Sequence, residues 1–336
     1  MRAVVLEEFG EPAQVLSVRD LPEPKPGPGQ VLVKVLASPV NPSDLMTVRG
    51  VYGNRPDLPA TPGYEGVGIV EAAGAGLWGK YLTGKRVAVS SADTGKWCER
   101  TLVPAMQAVP LPADIPVEQA AMFFVNPATA YILTRLELRV PSGQWLLQTA
   151  AGSAVGRMII RLAKKYGFRT LNVVRREAQA EELRALGGDE VLVFDSERHQ
   201  TEQLRSEIMR ITDGQGVSYA VDPVGGATGS GVAQSLAVGG RMLVFGSLSE
   251  EPLMIPPRSL LTPTARVEGF WLARWLPAQG LAGKLRLVSA ITRLMREGVL
   301  VSEVGQQFSL EQIGDAVRTA EQKARGGKVL LKINDQ

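Results

Sequence analysis

The chain has 336 residues, enough for two domains or for one large domain carrying an insertion. Its 45% hydrophobic and 21% charged residues are ordinary for a globular protein, and no uninterrupted apolar run approaches the ~18 residues of a membrane span. The net charge is only +3, with 37 basic residues interleaved among 34 acidic ones, which leaves no basic stripe of the kind that tracks nucleic acid.

The opening MRAVVLEEFG carries acids where a signal peptide has its apolar core, and it is not Arg/Ser-rich, so the expected location is cytoplasmic. Residues 1–125 are rich in Gly and Pro. Short apolar runs at 31–37 (VLVKVLA), 66–72 (GVGIVEA) and 86–90 (RVAVS) are separated by turn signals such as PKPGPG and AAGAG, which predicts a β-rich, barrel-like unit. Within it, Asn41-Pro-Ser-Asp before LMTV reads as a helix start with Ser43 or Asp44 as the cap. Asn41 also stands as a candidate substrate-site group. The one cysteine, Cys98, excludes an internal disulfide and a multi-thiolate metal site. The one histidine, His199, falls in the polar stretch DSERHQTEQ, where no His-based triad or general base is expected.

From about residue 126 the texture changes to alternating strand and helix patterns. VNPATAY, with Asn126 and Thr129, reads as another helix start at the crossover. WLLQTAAGSAVG (145–156) is an apolar run ending in a small-residue turn, and an amphipathic helix continues to Lys165. Then come TLNVV (170–174), the helix pattern AQAEELRALG, VLVF (191–194), a charged helix near 202–211, SYAVD (218–222), a further helix and RMLVFG (241–246). This rhythm specifies a doubly wound parallel sheet, with nucleotide sites at the carboxyl ends of its strands.

Gly152, Ser153, Ala154, Val155 and Gly156 form the turn that sets a pyrophosphate against backbone N–H groups at a helix N-terminus. Asp222, Phe245, Gly246 and Ser247 lie at later strand ends. After TLNVV, where an acid commonly holds the 2′-hydroxyl of NAD, this chain has Arg175-Arg176, which suits the 2′-phosphate of NADPH. Glu177 keeps an NAD alternative open. After about 262 come GFWLARW, a helical stretch at 281–297 and KVLLKIN. Phe270, Trp271 and Trp275 suit either core packing or the wall of an acyl cleft, and Arg274, Lys284 and Arg286 follow nearby.

Taken together, PGYEGVGIVEAAG, GKRVAV and AAGSAVG resemble the medium-chain dehydrogenase/reductase superfamily along the whole chain. The resemblance implies a GroES-like β-rich catalytic domain (1–125), a Rossmann NADPH-binding domain (126–262) and a return segment (263–336) completing the first. Zinc-dependent members carry a histidine where this chain has Tyr64. Asp44 and Glu65 alone supply too few donors for tetrahedral zinc, so a zinc-free member is expected. RGVYGNRPDLPATPGYEGVG, FFVNPATAY, RTLNVVRRE and GFWLARW are similar to trans-2-enoyl thioester reductases, and the related quinone oxidoreductases are the alternative.

In the enoyl reductases the corresponding tyrosine, here Tyr52, is the proton donor. A tyrosine with pKa ~10 is a donor at neutral pH. The resemblance further implies cofactor contacts at Asn126, Thr129, Phe270, Trp271 and Lys328. Arg175-Arg176-Glu177 departs from the Arg-acid-Arg those reductases tend to carry. A homodimer is implied as well, with RMLVFG and SLSEEPLMIP extending the sheet across the interface. A non-catalytic, crystallin-like NADPH-binding role is the alternative from another class.

Overall fold

A computed structural model describes residues 1–53, 55–90, 94–322 and 326–335. Its strands in chain order are β1 (Arg2–Leu6), β2 (Leu16–Asp20), β3 (Gln30–Pro39), β4 (Glu65–Ala73), β5 (Arg86–Ser90), β6 (Arg100–Pro104), β7 (Ala108–Pro110) and β8 (Trp145–Gln148). They continue with β9 (Arg169–Val174), β10 (Glu190–Val193), β11 (Val217–Asp222), β12 (Leu236–Val244), β13 (Arg266–Gly269), β14 (Val304–Phe308) and β15 (Lys328–Lys332). The chain divides into two compact units, Met1–Asn126 with Val301–Gln336, and Pro127–Leu300.

The first unit is built on a sheet ordered β14-β15-β3-β4-β5-β7, with β6 also paired to β3. β3 carries most of it: β4 runs antiparallel along one edge, and β6 (at Gln30–Lys34) and β15 (at Ala37–Pro39) share the other. Its Val31 and Val33 pack in a core with Val70, Val87 and Val103, and QVLVKVLASP is almost wholly buried. One core joins the two ends of the chain, packing Val4, Leu6 and Leu45 against Leu310, Val317 and Leu331. Gln119 fastens the returning segment at two points. Its Oε1 accepts the Ser302 N–H at 3.0 Å, and its Nε2 donates to the Ser302 carbonyl at 2.9 Å.

The second unit is a parallel six-stranded sheet ordered β10-β9-β8-β11-β12-β13. The order reverses between β8 and β11, where doubly wound sheets open a crevice at their carboxyl ends. The helix Ala154–Tyr166 buries Val155, Met158, Ile159, Ile160, Leu162 and Ala163, and ends at Gly167 in the left-handed region. Each large apolar side chain so buried contributes about 1.5–3 kcal/mol.

Two expectations are corrected here. Residues 263–300 belong to the parallel-sheet unit and not to the return segment, because β13 pairs in register with β12 (Arg241 with Arg266 through Val244 with Gly269). The return begins at Val301. RMLV is likewise no edge, since β12 is flanked by β11 and β13, and 247–256 forms no strand. The edge after the crossover is β13 itself. No helix among the described residues is long and apolar enough to cross a membrane.

Candidate active site

The turn after β8 is shaped for close approach. Ala150 takes a φ of 46°, and Ser153 caps the following helix, its Oγ accepting the Gly156 N–H at 3.2 Å. A Cβ on Gly156 would stand 2.3 Å from the Ala151 carbonyl oxygen, so only glycine lets helix and turn meet there. The N–H groups of Ala154 and Val155 have no partner among the described residues. They lie at the positive end of the helix dipole, the arrangement that binds phosphate oxygens.

Arg175 and Arg176 follow directly on β9, and both are exposed. No carboxylate among the described residues pairs with either one. Glu177, by contrast, carries an exposed ion pair with Arg184 at 2.9 Å.

Asp222, expected to touch the cofactor, has another task. It is fully buried, and its carboxylate accepts from the Thr149 hydroxyl, from Val224 N–H at 3.0 Å and from Gly225 N–H at 2.9 Å. Burial pushes its pKa up. Its oxygens shape the turn after β11 and are not presented to a ligand. That turn in turn fixes the end of β12: the Asp222 carbonyl accepts the Phe245 N–H at 2.9 Å, and a Cβ on Gly246 would lie 2.8 Å from the Pro223 carbonyl. Ser247 beyond it is exposed. Phe270 N–H donates to Val244 O at 2.7 Å, Trp275 Nε1 donates to Glu137 at 2.6 Å, and the Arg274 guanidinium sits 5.6 Å from the Trp271 ring centre. These three aromatics are half-buried.

In the first unit, polar groups gather around the helix Pro42–Val48. Its N-cap is Asn41; the expected caps, Ser43 and Asp44, lie inside the first turn. Asp44 still serves the cap, because its Oδ2 accepts the Asn41 N–H at 2.7 Å while Oδ1 accepts the Tyr64 N–H at 2.9 Å. Glu65 takes Asn41 Nδ2 at 3.0 Å, Phe124 N–H at 3.0 Å and Val125 N–H at 2.9 Å. Both acids are almost completely buried, and Lys328, also buried, adds an attractive field. Burial outweighs these partners: it lifts the Asp44 pKa to about 7 and raises that of Glu65.

Asn126 is buried, and its Nδ2 has no hydrogen-bond partner. Thr129 is buried one helical turn on. Tyr52 is half-buried, and its ring lies 5.7 Å from that of Tyr64, the planes inclined at 53°. The Tyr64 hydroxyl is 2.6 Å from Thr47 Oγ1. A cavity of about 30 Å³, room for a water, opens beside Asp44, Thr47 and Tyr64.

Comparison with known proteins decides what carries this geometry. Residues 27–113 match the alcohol dehydrogenase GroES-like domain, and residues 154–287 match the zinc-binding dehydrogenase family. The mitochondrial enoyl-[acyl-carrier-protein] reductase of Xenopus tropicalis is 33% identical, over 98% of this chain and 95% of its own length. The human enzyme of the same name is 30% identical, over 99% and 89%. This chain belongs to the medium-chain dehydrogenase/reductase family.

The antiparallel unit is thus the GroES-like domain and the parallel-sheet unit the Rossmann domain of a family oxidoreductase. Among solved structures, a Bacillus thuringiensis protein described as a candidate NADPH:quinone reductase superposes with a TM-score of 0.90 at 31% identity, covering 98% of both chains. The mycobacterial protein Rv1454c, solved complexed with NADPH, superposes with a TM-score of 0.87 at 27% identity, over 99% of this chain and 100% of that one. A nicotinamide cofactor follows from this kinship, and the cradle at Gly152–Gly156 fits it.

Zinc does not fit as well, despite the name of the family model. No group of three or more His, Cys, Asp or Glu side chains among the described residues is placed to hold a metal ion. Asp44 and Glu65 already spend their oxygens on backbone and amide N–H groups. The sequence reading missed the Thr47–Tyr64 pair, because Tyr64 registered only as a missing histidine. It also missed the brace from Glu65 to residues 124 and 125. The available signal was an acid standing beside the apolar run GVGIV.

Proposed function

We propose that this oxidoreductase is a zinc-independent, NADPH-dependent reductase of activated carbon–carbon double bonds, with trans-2-enoyl thioesters as its substrates. The observation that carries this reading is the state of the first unit's polar network. Both buried carboxylates already hold backbone N–H groups, and Tyr52, whose ring lies 5.7 Å from that of Tyr64, is the acid that the likeness to the enoyl reductases supports. The close likeness to the mitochondrial enoyl reductases supports the thioester.

Bound NADPH supplies the hydride that goes to the β-carbon. The open N–H groups of Ala154 and Val155, in the Gly152–Gly156 turn, would hold the pyrophosphate, and Arg175 with Arg176 would grip the 2′-phosphate through charge-assisted hydrogen bonds. Asn126 and Thr129 bind the nicotinamide end, where the Asn126 amide hydrogens await an acceptor. Lys328, Phe270, Trp271 and the Phe245–Ser247 strand end complete the cofactor's surroundings. As the double bond's electrons move onto the thioester oxygen, Tyr52 donates a hydrogen bond to that oxygen and delivers the proton that completes the product. Asn41 lends support at this site: one of its two Nδ2 hydrogens is donated to Glu65, and the second is left for a substrate oxygen. A homodimer is part of this reading, built by pairing the β13 edge with its counterpart.

The test is NADPH oxidation with crotonyl-CoA, a longer trans-2-enoyl-CoA and 1,4-benzoquinone in parallel, with NADH as control. Thioester turnover that fails with NADH, and drops ~10²–10⁴-fold in Tyr52→Phe, is the expected result. Quinone turnover with inert thioesters would move the assignment to a quinone oxidoreductase, the reading favoured by the structural neighbours of that name. Tight NADPH binding with no acceptor turned over would leave a binding protein.

A further inference from the structure

The end of the first unit where β3 begins carries a surface that the steps above do not use. Three segments meet there through backbone hydrogen bonds. Gly29 N–H donates to Ala75 O at 2.8 Å, Gly74 N–H to Gln30 O at 3.0 Å, and Ala105 N–H to Gly29 O at 2.8 Å. On this base sits the short helix Leu77–Leu82. Leu82 anchors it in the core with Val31, Val87 and Val103, and a Cβ on Gly79 would stand 3.1 Å from that of Ala73. One face of the helix is thereby fixed inward. The other carries Leu77, Trp78 and Tyr81, which are 88%, 40% and 55% exposed, and Met106 on the turn Ala105–Gln107 is 67% exposed. The Trp78 and Tyr81 rings stack with centres 5.0 Å apart, and Trp78 Nε1 donates to Ala105 O at 3.0 Å, which ties helix to turn. Single exposed apolar side chains are ordinary, but four gathered on one rigid tip mark an interaction surface.

The charge of this tip is one-sided. Residues 24–33, 72–85 and 101–112 contain no Asp or Glu and carry Lys25, Lys80 and Lys85. The acids that flank these segments are matched by arginines. Glu23 and Glu71 pair with Arg100, Glu99 pairs with Arg2, and Asp114 acts on Arg86. No carboxylate among the described residues pairs with Lys25, Lys80 or Lys85. Lys85 Nζ instead rests 3.0 Å from the centre of the Tyr81 ring.

We propose that this tip docks the protein onto an anionic membrane surface, with Leu77, Trp78, Tyr81 and Met106 entering at headgroup depth and the three lysines against lipid phosphates. Charge complementarity selects an anionic partner. The aromatic pair selects lipid, because Trp and Tyr combine an apolar body with a polar tip and concentrate where hydrocarbon meets water. The Trp78 N–H already holds its acceptor, so its ring enters without stranding a donor. No segment crosses the bilayer; the contact is interfacial, reversible and sensitive to salt. The ten residues of β3 set this tip ~30 Å along the strand from the Asn41 end, so lipid contact and the polar network occupy opposite ends of the same strand. The inference holds whichever acceptor is reduced.

The experiment is co-sedimentation of the whole chain with vesicles of phosphatidylcholine alone and of phosphatidylcholine with about 30% phosphatidylglycerol, at about 0.1 M and about 0.5 M salt. Binding to the anionic vesicles at low salt, at least ~10-fold weaker on neutral ones or at high salt, is the expected result. Leu77→Ser with Met106→Ser, which leaves the net charge unchanged, should weaken binding ~10-fold, as should Lys25→Gln with Lys80→Gln. These four side chains are exposed, so Tm and NADPH turnover should stay at wild-type values. Arg198→Gln with Arg210→Gln removes the same charge from the other unit and should bind as wild type. Brominated lipid should quench part of the tryptophan emission, and Trp78→Phe should abolish that quenching. Failure to bind anionic vesicles, equal binding by the Leu77/Met106 pair and wild type, or an equal loss in the Arg198/Arg210 control overturns the proposal. So does binding of an acidic acyl carrier protein through Lys25 and Lys80 by a chain that ignores both kinds of vesicle.

Discussion

Two places where a helix begins treat their backbone N–H groups in opposite ways. At Ala154 the first N–H groups stay open; Ser153 claims only that of Gly156. At the starts near Asn41 and Val125, buried carboxylates of the same chain claim them: Asp44 takes Asn41, and Glu65 takes Phe124 and Val125. The same orphan donors are left open, as an anion site needs them, in one unit and are spent on an internal brace in the other. The difference lies in whether an acid is within reach, and it separates binding another molecule from holding residues still.

The comparison breaks most visibly at Glu65. Glu65→Ala leaves two backbone N–H groups and an amide unpaired in the interior, and about 3–5 kcal/mol of stability should be lost in urea unfolding. A loss below ~1 kcal/mol would mean that the brace is dispensable. Gly156→Val attacks the open counterpart. With a Cβ 2.3 Å from the Ala151 carbonyl, the turn has to move, and NADPH binding followed by fluorescence should weaken on the order of 100-fold. Wild-type affinity would show that the turn does not need this approach. Replacing Arg175 and Arg176 together by alanine should raise the KM for NADPH ~10–100-fold and leave NADH nearly unaffected, since only the 2′-phosphate contact is lost. An equal effect on both cofactors would remove the arginines from that role.

The smallest effect concerns Asp44. Its folded pKa of about 7 exceeds the ~3.9 of an unfolded aspartate, so the folded chain holds more protons between those values. Its contribution to stability therefore falls as pH rises through that window and is constant above it. Glu65 and Asp222, also raised, act in the same direction. Asp44→Asn should flatten the decline in Tm between about pH 5 and about pH 8; an unchanged slope would place the titration elsewhere.

The parallel sheet was the more legible half. Strands covered on both faces read as unbroken apolar runs, so TLNVV and SYAVD fall within a residue of β9 and β11. The Gly152–Gly156 turn was legible too, because its chemistry lies in consecutive residues. What escaped depends on pairings distant in sequence. β13 was assigned to the wrong unit because nothing in RVEG announces its register with β12. Thr47 and Tyr64 lie 17 positions apart, and a fold that brings Tyr64 beside the helix Pro42–Val48 is what unites them. Asp222 was misjudged for a related reason: a strand-end acid looks alike in sequence whether it faces a ligand or the N–H groups of its own turn.

The placement of β15 against the second half of β3's edge sets an order on synthesis. Residues 37–39 of that strand wait for a partner that leaves the ribosome only after the entire Rossmann domain. At ~5–20 residues per second the wait is on the order of tens of seconds. Through that interval the nascent GroES-like domain carries an apolar strand with part of one edge open, the kind of surface on which neighbouring chains pair. The Rossmann domain completes its own sheet meanwhile. Loss of β15 should therefore injure the domain whose synthesis began before the Rossmann domain.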